Sequence, residues 1–111
     1  MLNHSIVELE NAQSVIVYFR CVDDDLQPLH ALERDLSQAI IDAGAGVYDG
    51  HEVALLEGDD AYLFMYGPDA ERLFDVVRPV LQMARMMAGA KVTLRYGSPD
   101  DEDIGERYVA L

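Results

Sequence analysis

Apolar and polar positions alternate along four stretches of this chain and repeat at helical spacing along two others, in the order strand, helix, strand, strand, helix, strand. Ser14 to Val22 (SVIVYFRCV) is apolar on both alternating sets, as an interior strand requires. From Leu26 the period changes. Leu29, Leu32, Leu36, Ala39, Ile40 and Ala43 fall on one helical stripe, with Asp23, Asp24 and Asp25 as N-cap candidates and Gly44 and Gly46 ending the helix. Residues 47–67 read as a hairpin, with Asp49-Gly50 as a bulge in its first strand and Gly58-Asp59-Asp60 as its turn. Ala61 to Gly67 (AYLFMYG) is the clearest strand of all.

A second helix is expected from Pro68, placed at its first position, to Gly89, burying Ala70, Leu73, Val77, Val80, Ala84 and Met87. Pro79 lies inside this segment but off the apolar stripe, which predicts a solvent-facing kink. Lys91 to Tyr96 is the fourth strand, and Arg107 to Leu111 can add a last one. Ser5 to Leu9 can form a short edge strand. Two strand–helix halves with short, right-handed connections define an α+β, ferredoxin-like βαββαβ sandwich: an antiparallel four-stranded sheet, both helices on one face, and room for extra terminal strands. The first and third strands are then central. Residues 14–97 make up this domain, 1–13 an N-terminal extension and 98–111 an acidic loop with a C-terminal strand or tail.

Strand alternation sorts the side chains further. Val15, Val17, Phe19, Leu63, Met65, Val92, Leu94 and Tyr96 suit the helix side. The opposite, open face then carries Ile16, Tyr18, Arg20, Tyr62, Phe64, Tyr66, Lys91, Thr93 and Arg95. Tyrosine, phenylalanine and arginine are the residues enriched where proteins bind one another. Such a face is covered by the chain's own ends or a second copy, or serves as a platform for a protein or small molecule. An RNA platform fits less well, because Ala61 to Gly67 lacks the basic and glycine positions of an RNA-recognition strand.

Charge narrows the partners. Of 111 residues 21 are acidic and 8 basic, a net charge of −13. That field repels nucleic acid and anionic membrane and favours a basic protein patch. Half the residues are apolar, enough for one buried core without metal or disulfides, and Cys21 is the only cysteine. The first residues have no basic n-region and no apolar run reaches membrane length, so a cytoplasmic protein is expected.

Chemistry is sparse, and no cofactor motif is present. Asp49, His51 and Glu52 are the one close acid–histidine cluster, with Asp49 and His51 expected on one strand face as weak acid–base or metal candidates. His4 and His30 read as isolated. The acids after Cys21 work against a thiolate, and the run from Asp100 lacks the distal glutamate of a calcium loop.

Three segments carry a resemblance: Asp49-Gly50-His51-Glu52, Tyr66-Gly67-Pro68-Asp69-Ala70 with Leu73-Phe74, and Val92 to Gly97 (VTLRYG) followed by Pro99-Asp100-Asp101. Together they resemble a group of small bacterial proteins with a ferredoxin-like fold and no assigned activity. That resemblance implies the fold and a bacterial cytosolic setting, and transfers no functional residue. In acidity and expected fold alone the chain is similar to the acidic protein inhibitors of bacterial ribonuclease E. The reading that results is a non-enzymatic regulatory or interaction protein, homodimeric, binding through its open face. The alternative is a ligand-binding domain or small enzyme with a pocket between that face and residues 98–111, Arg20 and Arg95 holding an anion and His51 moving a proton.

Overall fold

A computed structural model describes residues 13–21, 26–53, 60–97 and 105–111. The elements are β1 (Gln13–Arg20), α1 (Gln27–Ala43), β2 (Val47–Val53), β3 (Asp60–Gly67), α2 (Ala70–Met83), a 3-10 turn (Arg85–Met87), β4 (Lys91–Arg95) and β5 (Glu106–Ala110). All strand pairs are antiparallel and the sheet order is β2-β3-β1-β4-β5. This is the ferredoxin-like arrangement with β1 and β3 inside, extended by β5 on the β4 edge. The expected edge strand at Ser5 to Leu9, the Asp23–Asp25 cap, the Gly58-Asp59 part of the turn and the acidic run from Pro99 to Ile104 lie outside the described residues.

Both helices pack on one face. Val15, Val17, Leu63, Met65, Val92 and Leu94 are fully buried against Leu29, Leu36 and Ile40 of α1 and Leu73, Val77 and Leu81 of α2. These are the strand residues that alternation assigns to the helix side, so the strand registers keep one parity across β1, β3 and β4.

Helix ends follow local chemistry, with two departures from expectation. α1 opens at Leu26 without a side-chain cap and closes on Gly44 at φ 60°, whose N–H reaches the Ile40 and Ile41 carbonyls. α2 is capped by Asp69, whose carboxylate accepts from the backbone N–H groups of Glu71 and Arg72. Pro68 therefore precedes the cap and is not the first helical residue. The helix also stops at Met83, short of Gly89. Ala84 is extended (φ −88°, ψ 121°), and a 3-10 turn buries Met87 without continuing the helix. Pro79 lies within α2 on its exposed side, as expected.

The α1–β2 connection crosses the end of β3 at backbone distance. A Cβ on Gly46 would sit 2.0 Å from the Tyr66 carbonyl oxygen, and one on Gly67 would sit 2.2 Å from that of Ala45. Two glycines are needed there so that the main chains can touch.

Candidate interaction surface

The registers arrange the open face in three rows. Along the first run Glu52, Tyr62, Tyr18, Lys91 and Ala110; along the second Gly50, Phe64, Ile16, Thr93 and Tyr108; along the third Val47, Tyr66, Ser14, Arg95 and Glu106. Tyr18 and Tyr62 pack as tilted rings 5.3 Å apart, and Tyr62 stacks on Phe64 at 6.2 Å. Among the described residues no element lies over this face. Ile16, Tyr18, Phe64 and Tyr66 are half-buried, Tyr62 is 36% exposed and Tyr108 is 72% exposed.

Polar groups fix these rings. The Tyr18 hydroxyl donates to Asp60 Oδ1 at 2.5 Å, and this bond raises the Tyr18 phenol above its usual value. Burial, then the nearby Asp49 carboxylate, raises that of Tyr66. Arg95 Nε lies 3.3 Å from Glu106 Oε2, so the guanidinium sits in an ion pair on the face. Arg20 stands opposite Asp60 on the same side. Arg20 and Arg95 thus each lie by a carboxylate, which works against the anion-holding role that the alternative reading gives them.

The bulge breaks up the acid–histidine cluster. The register shifts between Tyr48 and Gly50, and every residue after the shift changes face relative to an unbroken strand. Asp49 is left beside Tyr66, Glu52 stands opposite Tyr62 on the open face, and His51 stands opposite Leu63 on the helix side. Asp49 and His51 therefore do not share a face. His51 Nδ1 lies 2.9 Å from Glu33 Oε2 on α1, and the same oxygen accepts the Tyr48 hydroxyl at 2.6 Å. Burial and then this bond push the Tyr48 phenol far up. His30 is not isolated either: its ring centroid lies 6.4 Å from that of His51. Among the described residues no three histidine, cysteine or acidic side chains are grouped to hold a metal ion.

Two features escaped reading by sequence. Glu33 anchors β2 to α1; its i, i+3 spacing from His30 on one flank of the helix is the signal that locates it. Tyr108 extends the open face onto β5, and alternation across Arg107 to Leu111 would have found it. A shallow hollow of about 450 Å³, lined by Asp49, Gly50, His51, Glu52, Phe64 and Tyr66, opens where Gly50 leaves no side chain opposite Phe64. At the far edge, Glu71 on α2 accepts from the Tyr96 hydroxyl and, at 2.5 Å, from Arg107 Nη1, tying β5 to the helix layer.

No family model matches this chain, and none of the curated proteins does. Among solved structures, the regulatory subunit of aspartate kinase from Thermus thermophilus, in its ligand-free form, is similar to it at 19% identity with a TM-score of 0.41. The match covers 78% of this chain and 57% of that one, so the chain spans little more than half of the subunit's length. No described helix is long and apolar enough to cross a membrane.

Proposed function

We propose that this chain is a non-enzymatic regulatory or interaction module whose open sheet face is its contact surface. One observation carries the reading: the rings of Tyr18, Tyr62 and Phe64 pack in a row, with Tyr66 lining the hollow beside Phe64, and no described element covers them. Contiguous apolar surface of this kind marks association sites on small proteins. A second copy of the chain is the first candidate partner, and a basic protein would be drawn to the acidic remainder. Either partner would make the chain part of an assembly, and the setting we propose for it is the cytoplasm.

The test is a Tyr62→Ala, Tyr66→Ala double variant in sedimentation velocity and in binding to purified partners. Loss of association with the fold intact supports the reading. A variant that associates like the parent removes it.

The hollow beside Gly50 favours a second reading, a small ligand-binding domain. With Asp49, Glu52, Phe64 and Tyr66 around it, the hollow suits an organic cation. Saturable binding of a small alkylammonium ion, abolished by Asp49→Asn, would support this reading; no heat of binding at millimolar ligand removes it.

A further inference from the structure

The open face is distinguished from the rest of the molecule by its charge balance. It holds Arg20, Lys91 and Arg95 against Asp49, Glu52, Asp60 and Glu106, whereas the chain as a whole has 8 basic and 21 acidic residues. A nearly neutral aromatic face on a strongly acidic protein suits an equally acidic partner that presents the same neutral face.

Its extent fits as well. Five strands at about 4.8 Å and three rows of side chains span roughly 24 by 20 Å, or roughly 500 Å² in projection. Side-chain relief raises the accessible area toward the roughly 600–800 Å² per partner of modest specific interfaces.

Two sheets can meet face to face about a two-fold axis in two ways. With the axis across the strands, each strand lies on its own mate with the rows reversed. Lys91 then opposes Arg95, the hollow at Gly50 opposes the same hollow, and the protruding Tyr108 opposes Tyr108. With the axis along the strands, β2 lies over β5, β3 over β4 and β1 over its mate, row on row. Lys91 then stands over Tyr62 and Arg95 over Tyr66, cations on aromatic faces. Every open-face residue of β1 then meets itself: Ser14, Ile16 and Tyr18 do so without charge, and Arg20 does so with Asp60 opposite it in its own sheet. Tyr108, 72% exposed in the single chain, stands over the hollow at Gly50, between Phe64 and Tyr66.

Resting on the contact-surface reading above, we infer that the partner of the open face is a second copy of this chain, related by a two-fold axis along β1, with Tyr108 of each copy seated in the Gly50 hollow of the other.

Three measurements on the full chain test this. Sedimentation should show a micromolar dimer that tightens as salt rises from about 50 to about 500 mM, because screening relieves repulsion between the two acidic bodies. Tyr108→Ser should weaken it about tenfold, the loss expected of an aromatic anchor seated in a hollow of its partner, without lowering the thermal midpoint of the monomer. In a Cys21→Ser background, a short bismaleimide should join Glu52→Cys to Ala110→Cys only when the two variants are mixed, and should not join Thr93→Cys to itself.

Self-linking of Thr93→Cys, failure of the mixed pair, or a dimer that loosens with salt overturns the arrangement. A chain that stays monomeric yet loses a protein partner in the Tyr62→Ala, Tyr66→Ala variant overturns the second copy and leaves the contact surface standing. Indifference of both association and binding to that variant removes the surface itself.

Discussion

The two faces of this sheet are built from the same strands, one residue out of step, and they differ in what holds their side chains. On the helix side Val15, Val17, Leu63 and Met65 are fully buried beneath two helices, so their packing is complete within one chain. On the open side Ile16, Tyr18, Phe64 and Tyr66 are only half-buried, and their support comes from neighbours within the sheet, such as the Tyr18–Asp60 bond. Truncating a helix-side residue should therefore be felt in folding, and truncating an open-side residue in association.

The sharpest way to break that contrast is to shorten neighbours on opposite faces of β3. Leu63→Ala removes a fully buried side chain and should cost about 2–5 kcal/mol of unfolding free energy by urea titration. Phe64→Ala, half-exposed, should cost the monomer under about 1.5 kcal/mol, as partial burial requires, while weakening the dimer. Equal costs would mean that the open face is packed as tightly as the core.

Titration separates the faces next. Tyr48, on the helix side, has its phenol raised by burial first and by Glu33 second. A raised folded value means that the contribution is complete below the ordinary tyrosine value of about 10 and declines as pH rises beyond it. Tyr48→Phe should flatten the fall of stability above that pH more than Tyr66→Phe does, measured by urea midpoints across an alkaline series. The reverse order would place the tighter environment on the open face.

The smallest effect belongs to the β5 edge. Hydrogen bonds from Arg107 first, and from Tyr96, hold the Glu71 carboxyl below its usual range. Its contribution is then present above the unfolded value of about 4.3 and is lost as pH falls through the lower folded one. Because these groups are well exposed, the effect is local. Glu71→Gln should speed amide exchange along Glu106–Ala110 near neutrality and leave β1 and β3 unchanged, and lowering the pH should bring the parent toward the variant.

Much of this architecture was legible because strand alternation is a local rule. The parity of β1, β3 and β4 followed from Val15-Val17-Phe19, Leu63-Met65 and Val92-Leu94 alone, and the Asp49-Gly50 bulge from its residue types. The consequence of that bulge for His51 was not legible, since one inserted residue reverses the face of every later residue in the strand. Only the meeting of β2 with α1 reveals Glu33 as its partner. The end of α2 was misread for a related reason. Met87 is buried, so the apolar period continues, but a 3-10 turn delivers it to the core after the helix has stopped.

The contact between Gly46 and Gly67 imposes a different kind of constraint from the packed core. A core residue can be exchanged and its neighbours resized to compensate, but here main chain meets main chain, with the Tyr66 and Ala45 carbonyls in the way of any added carbon. No second-site change of side chain can make room. In a saturation screen these two positions should tolerate glycine alone, and no suppressor of either should arise short of a change in chain length at the α1–β2 joint.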